Sequence, residues 1–265
     1  MVPLNLQLNL STTLIGKRFY HYDEVTSTND IAIDFASLGV EEGSVVIAES
    51  QTKGKGRLGK SWISPSGVGL YFSIILNPSL PLKQIPLLTL AAGVAAARAI
   101  AEITHLRVFL KWPNDIMIGG KKAGGILAEA RIEGDTIKVV VIGIGVNVNT
   151  PLSQFPEEVR EHSTSLSKEA SREIDRSLLL AKILETFDGI YLKVINQEHD
   201  EILQAWRTLS NTLGEEVLIQ SGSERIEGKA VDIDWDGSLL VRTEKGTLEK
   251  VASGEATVIK RGENR

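Results

Sequence analysis

The sequence predicts an α+β fold, a mixed and largely antiparallel sheet flanked by helices, with a small β-barrel behind it. Three observations carry this expectation. Between residues 107 and 149 the β-type runs follow one another across glycine turns, the pattern of antiparallel neighbours. A single long apolar stretch, residues 86–103, has the length and composition of a buried helix. From residue 214 the chain breaks into short β-type runs split by glycine-containing turns.

Taken in order, residues 19–25 read as a strand, and Ser27-Thr28 as the N-cap of an amphipathic helix that carries Ile31, Ile33, Phe35 and Leu38 and ends at Gly39. Residues 44–50 are β-type, 51–61 form a loop rich in Gly, Lys and Arg, and 68–76 are β-type again. The apolar helix contains Arg98 and Glu102 and falls short of the roughly 20 apolar residues that span a bilayer, so it belongs to the core. Runs at 107–111, 116–118, 125–132 and 136–149 turn at Gly119-Gly120 and at 133–135. Residues 151–170 are polar and irregular, and 177–195 and 198–209 carry helical periodicity. The last runs fall at 217–219, 226–233, 238–243, 247–251 and 256–259, which sets a boundary near 213 and divides the chain into residues 1–213 and 214–265.

With 29 Lys and Arg against 34 Asp and Glu, the net charge of −5 removes any global attraction to nucleic acid or anionic lipid, so a cationic site has to be local. Residues 214–265 hold 8 basic and 11 acidic side chains, a net of −3, a poor surface for nucleic acid. The absence of cysteine excludes disulfides, thiolate metal ligands and a cysteine nucleophile, and suits a reducing cytoplasm. The first residues lack the basic start and apolar core of a signal peptide, so no export and no membrane partner is expected.

Two phosphate-type motifs are misleading. Residues 54–61 satisfy the P-loop letters, but such a loop has to open a helix, and here Pro65, Gly67 and Gly69 lead into an alternating strand. Gly143-Ile144-Gly145 starts like a dinucleotide fingerprint, yet no third glycine and no helix follow, so a strand whose glycines permit close packing is the plainer reading. What remains is composition: Lys53, Lys55, Arg57 and Lys60 interleave with Gly54, Gly56 and Gly59. Four cations in eight residues repel unless an anion or solvent screens them, so the loop either binds an anion or is a solvated basic loop. A second dense segment, Lys111-Trp112-Pro113-Asn114-Asp115, is followed by Lys121-Lys122-Ala123-Gly124-Gly125-Ile126-Leu127. It suits a polar site at a strand end, or a turn in which Asn114 and Asp115 bond the backbone.

Together these segments resemble the biotin protein ligases, from about Ile15 to the C-terminus. The resemblance rests on Ser27-Thr28-Asn29, Gln51 with the loop 54–62, Lys111-Trp112-Pro113-Asn114-Asp115, Lys122 to Leu127, and Gly143-Ile144-Gly145-Val146-Asn147. The family loop usually reads Gly-Arg-Gly-Arg-x-Gly-Arg, so Lys55 and Lys60 depart from it, keeping charge but losing bidentate geometry. The resemblance implies a ligase-type catalytic domain over residues 1–213 and an SH3-like barrel over 214–265. It also implies that biotinyl-5′-AMP forms from biotin and ATP with Mg²⁺, and that the biotinyl group passes to one lysine of a biotin carboxyl carrier protein or domain.

By the same resemblance Ser27, Thr28, Asn29, Gln51, Lys55, Gly56, Gly125, Ile126 and Leu127 hold biotin, Lys60, Trp62, Asn114 and Asn147 lie at the nucleotide, and Arg57 and Lys122 serve both. Ser27-Thr28 can equally act as a helix cap, and Trp62 as a core aromatic. Arg57, Lys122 and Asp115 are the expected catalytic groups, with Asp115 a base or orienter for the acceptor lysine. No protein ligand is assigned to Mg²⁺, which is expected to bind through ATP phosphates. A further implication is a second copy of the chain as partner, since sheet-edge dimers are common in the family. Repressor members carry a DNA-binding domain ahead of the catalytic one, and the short stretch before Phe19 predicts a cytoplasmic ligase without it and without a nucleic-acid partner. The competing classes are a lipoate-type ligase and a biotin-sensing protein without turnover.

Overall fold

A computed structural model describes residues 4–134, 136–222 and 224–259; Asp135 of the expected 133–135 turn and the end of the expected 214–265 unit lie outside them. The first seven strands are β1 (Phe19–Val25), β2 (Val45–Gln51), β3 (Leu70–Leu76), β4 (Val108–Lys111), β5 (Asp115–Ile118), β6 (Lys121–Glu133) and β7 (Thr136–Val146). They form one sheet in the order β1-β2-β3-β7-β6-β5-β4, in which only β1 and β2 run parallel. The mixed, largely antiparallel sheet is thus the one the glycine-punctuated runs predict. The single parallel pair follows from helix α1 (Thr28–Ser37), which carries the chain across between β1 and β2.

The two faces of this sheet are treated differently. One packs on α2 (Ile85–Thr104), which buries residues all round its girth and packs in turn against α5 (Arg176–Ile195) and α6 (Asp200–Leu209). Leu87, Leu90, Val94 and Ile100 of α2 share one core with Leu70, Phe72, Ile74, Ile126, Ile142 and Ile144 of the sheet. Although α2 is long and apolar enough to cross a membrane, it is the buried core helix its composition predicts. The opposite face packs on α1, whose Ala32 meets Val46, Ile75, Val139 and Val141 with Ile31, Ile33 and Phe35 around it. Leu38 departs from its expected place on the apolar stripe: it is the C-cap residue and 81% exposed, just before the positive-φ Gly39. The rest of that face, over β3, β7, β6 and β5, is left for the site.

Boundaries shift where packing overrides periodicity. Strand β6 is longer than residues 125–132, β7 stops before Asn147, and the polar segment 151–170 contains the short helices α3 (Glu157–Arg160) and α4 (Leu166–Ala170). The final strands β8 (Glu216–Ser221), β9 (Glu224–Ile233), β10 (Leu239–Thr243), β11 (Leu248–Val251) and β12 (Glu255–Val258) form a five-stranded antiparallel sheet, order β11-β10-β9-β8-β12, in keeping with the expected SH3-like unit.

This smaller unit is bonded to the larger one beneath the site. The Trp112 indole N–H donates to the Gly237 carbonyl at 3.1 Å, and its backbone N–H donates to Thr212 Oγ1 at 2.9 Å on the chain just ahead of the smaller unit, both in buried surroundings. At the far side, the buried Asp188 of α5 accepts the backbone N–H groups of Thr13, Leu14 and Ile15 at 2.8, 2.8 and 2.7 Å. One carboxylate therefore fixes the whole turn that leads into β1. Asp188→Ala leaves those donors without their acceptor and is expected to lower unfolding free energy by about 3 kcal/mol, read from urea denaturation as a reduced midpoint at unchanged slope.

Candidate active site

The strand register lays out the floor. Directly paired residues share a face, so Tyr71, Gly145, Gly125 and Asp115 form one row across β3, β7, β6 and β5, and Ser73, Gly143 and Leu127 form the next. Both rows are built around glycine for a reason the contacts make plain. A Cβ on Gly145 would stand 2.6 Å from the Trp62 ring, and one on Gly143 would stand 2.1 Å from Asn29 Oδ1. The close-packing reading of Gly143-Ile144-Gly145 is therefore the right one: the glycines admit Trp62 and Asn29 onto the sheet.

A β-bulge puts the cation beside the carboxylate. Register shifts between Ile116 and Met117, so that Gly124 faces Ile116 while Lys122 faces Met117, leaving Ala123 as the extra residue. With the bulge, Lys122 and Gly125 line the same cavity although alternation alone would send them to opposite faces. Lys122 Nζ lies 2.5 Å from Asp115 Oδ1 and 5.5 Å from the centre of the Trp62 ring.

The roof is the loop between β2 and β3, which is no P-loop. It runs as an irregular hairpin, with bridges Gln51 to Ser64 and Lys55 to Ser61, and at its tip Leu58 and Gly59 both take positive φ. Its cations reach in two directions. Lys55 pairs with Asp30, which holds its ammonium above the ordinary lysine value, and lies 3.4 Å from Glu129. Arg57 reaches the Gly254 carbonyl at 3.0 Å and Asn114 Oδ1 at 3.4 Å, and Lys60 pairs with Glu255 at 2.6 Å. Burial draws the Arg57 guanidinium down from its ordinary value against the pull of Asp115 and Glu255. The roof is thereby docked on β12 of the smaller unit.

Floor and roof enclose a cavity of about 550 Å³, lined at one end by Ser27, Thr28, Asn29 and Gln51 and at the other by Arg57, Lys60, Asp115 and Lys122. Lys55, Gly56, Trp62, Asn114, Gly125, Ile126, Leu127 and Asn147 also line it, so the residues that the resemblance assigns to biotin, the nucleotide and catalysis come to one place, while Lys53 of the same basic run does not line it. Ser27 holds the N-cap position of α1 with extended backbone, but its side chain makes no capping bond; the Thr28 N–H goes instead to Gln51 Oε1 at 2.8 Å. The capping signal is corrected accordingly: Gln51 does the capping and Ser27 lines the cavity. Asn114 Nδ2 donates to the Ile126 carbonyl, and Asn147 Nδ2 to that of Thr164, so both amides also hold strands and loops in place.

Some lining and supporting groups escaped the sequence reading. Ser73 is a small hydroxyl residue in a strand otherwise made of Leu, Ile, Phe and Tyr, a signal visible in the sequence, and it lies 2.8 Å from Thr28 Oγ1 and 2.6 Å from Asn29 Oδ1. Phe155, Val159, His162 and Ser163 close one wall from residues 151–170, whose polar sequence predicts no regular element. Glu255 carries no local signal at all, since only the docking of the two units brings it to Lys60.

Comparison with known proteins fits this geometry. Residues 22–147 match the biotin/lipoate A/B protein ligase family, and residues 212–258 match the biotin protein ligase C terminal domain. The chain is 36% identical over 250 residues to the bifunctional ligase/repressor BirA of Bacillus subtilis (strain 168), covering 94% of this chain and 77% of that protein. It belongs to the biotin protein ligase family. Another member, the biotin–[acetyl-CoA-carboxylase] ligase of Mycobacterium tuberculosis, is 32% identical over 81% of this chain and 79% of its own length. Among solved ligase structures, the biotin protein ligase of Aquifex aeolicus in complex with biotin and ATP superposes with a TM-score of 0.78 at 34% identity, over 92% of this chain and 99% of that one.

The contact between the ligase roof and the smaller unit is expected to depend on pH. The hydrogen bond from Lys60, aided by the charges of Lys60, Lys111 and Lys122, outweighs burial and holds the Glu255 carboxyl below its ordinary value. A depressed folded value means that the pairing is complete above the ordinary glutamate range and is lost as pH falls through the lowered one. In a ¹³C NMR titration Glu255 is expected to titrate below an exposed glutamate, and Lys60→Met to return its midpoint to the ordinary range.

Proposed function

We propose that this chain joins biotin to one lysine of a biotin carboxyl carrier domain, through biotinyl-5′-AMP and at the expense of ATP. The observation that carries the reading is a two-ended cavity: neutral hydrogen-bonding groups at one end, two lysines and an arginine at the other. A ureido ring needs uncharged donors and acceptors, whereas the meeting of a carboxylate with a triphosphate needs cations. Ser27, Thr28, Asn29 and Gln51 are assigned to the ring, Gly125, Ile126 and Leu127 to the wall beside it, and Lys55 and Gly56 to the roof above it. Trp62, Asn114 and Asn147 are assigned to the nucleotide. Residues 1–213 are read as the catalytic unit and 214–265 as the unit that holds its roof.

In the first step a biotin carboxylate oxygen attacks the α-phosphorus, and the bond to the bridging oxygen of pyrophosphate breaks. Arg57, Lys60 and Lys122 oppose the charge that gathers on the phosphates. Lys122 starts paired with Asp115, so its turn toward the phosphate frees the carboxylate. Asp115 is then available in the second step, where the acceptor lysine has to lose a proton before its amine attacks the acyl carbon and AMP leaves. Magnesium enters with ATP as part of that substrate. Among the described residues no group of three His, Asp or Glu is placed to hold a metal, and the lining carboxylates Asp115 and Glu255 are each paired to a lysine, so the residues present do not form a resident magnesium site. The negative charge of the chain and of residues 214–265 argues against a nucleic-acid partner, and an ATP-consuming, cysteine-free enzyme suits the cytoplasm.

The deciding experiment is pyrophosphate release from MgATP with biotin, with lipoate or with neither acid. Biotin-dependent release with transfer of label to a carrier-domain lysine is the expected result; release with lipoate alone changes the substrate, and biotin binding without release makes the protein a sensor. Lys122→Ala is expected to slow adenylate formation by roughly 10²–10³-fold. Arg57→Gly, which also unties the roof from Gly254, is expected to let the adenylate escape and label bystander amines, read as biotin on an added non-acceptor protein.

A further inference from the structure

Behind the neutral end of the cavity lies a chain of hydrogen bonds that starts at a carboxylate outside it. Glu129 follows Leu127 by two positions on β6 and so faces the same side of the sheet, but it does not line the cavity. Its Oε2 accepts Asn29 Nδ2 at 2.7 Å, and its Oε1 is 3.4 Å from the Lys55 ammonium. Asn29 is 4% exposed and wedged against Gly143, with Leu127 O as a second, longer partner for its amide nitrogen at 3.4 Å. Its oxygen turns to Ser73 Oγ, 2.6 Å away, and Ser73 in turn is 2.8 Å from Thr28 Oγ1.

The order of protons along this chain is set at one end. An ionised carboxylate only accepts hydrogen bonds, so Asn29 has to present its NH₂ group to Glu129 and its oxygen to Ser73. A hydroxyl has one proton, and the Asn29 oxygen claims that of Ser73. With that proton taken, Thr28 Oγ1, which lies 2.8 Å from Ser73 and donates its own proton to Gln51 Oε1 at 3.2 Å, keeps its lone pairs free to accept from a ligand. Reversal of the Asn29 amide would release the Ser73 proton to Thr28 Oγ1, the other acceptor within its reach. The Lys55 ammonium offsets the carboxylate's charge and ties it to the roof.

We propose that Glu129 is a positioning residue that fixes, through Asn29 and Ser73, the donor and acceptor polarity with which Thr28 and its neighbours meet the ligand's ureido group. The proposal rests on biotin binding at that end of the cavity. The site's preference for a ureido N–H over other groups of the same shape is then imposed from a residue that never touches the ligand. Glu129→Gln keeps the size and an acceptor oxygen but adds an NH₂ group, so it no longer dictates the orientation of Asn29.

The test measures binding of biotin and of its cyclic carbamate analogue, in which a ring oxygen replaces one ureido N–H, by calorimetry to the full chain and to Glu129→Gln and Glu129→Asp. The expected result for Glu129→Gln is a roughly tenfold loss of biotin affinity, from one disturbed network. The preference for biotin over the carbamate shrinks with it, while KM for ATP and the thermal midpoint stay near those of the parent. Glu129→Asp, still acceptor-only, is expected to restore the preference even where affinity is weaker. Equal loss of affinity for both ligands, or an unchanged preference in Glu129→Gln, overturns the polarity role and leaves biotin binding standing. Failure of the parent chain to bind biotin overturns the underlying reading instead, and the inference with it.

Discussion

The absence of side chains at three positions on two neighbouring strands governs the rest of this structure. A sheet this wide has two faces to cover, and α2 with its companions covers only one. On the other, Gly143 and Gly145 on β7 and Gly125 on β6 leave a trough that no apolar side chain fills, so no helix is drawn down onto it. The Trp62 ring and the Asn29 amide enter it instead, and both bring polar groups with them. Depth, and with it the exclusion of water from whatever binds, follows from what those strands lack.

The roof is a loop without regular structure of its own, and its position depends on contacts made at both ends of the cavity. Toward α1 and β6 it is held by Lys55 and its two carboxylates; toward the smaller unit it is held by Arg57 and Lys60. Ion pairs at this degree of exposure contribute little to stability. They serve better as reversible fastenings, since the cations that hold the roof to the protein are of the kind that hold phosphate. A ligand that competes for them exchanges one set of charge contacts for another, at small net cost, while the backbone of the loop moves with them.

Much of this was legible in the sequence because it was local. The strand runs, the Ala-rich helix and the glycine turns follow from periodicity and turn chemistry, and the site segments are short and dense enough to stand out as a family pattern. What stayed hidden depends on pairs distant along the chain. Gln51 caps α1 from the end of the neighbouring strand, and nothing near Ser27 says that its own hydroxyl is not used for that purpose. Glu255 meets Lys60 only because one domain settles on another. Leu38 fits a helical stripe in letters and falls outside it in space because the helix ends one residue earlier. The register shift in β6 was equally invisible, since a strand with one residue too many reads like any other.

That shift has a consequence for how such a strand can diverge. Side chains along β6 are exchanged one at a time without moving their neighbours, but a residue added to the ladder between the Gly119-Gly120 turn and Gly125 changes which face Lys122 takes. Were Ala123 itself drawn into the ladder opposite Met117, Lys122 would stand opposite Ile118 with its ammonium turned toward the apolar core under α2, and Asp115 would be alone in the trough. Loss of Ala123 has no such effect, since Lys122 keeps its place opposite Met117 on the cavity face, so the strand tolerates shortening at this point and resists lengthening.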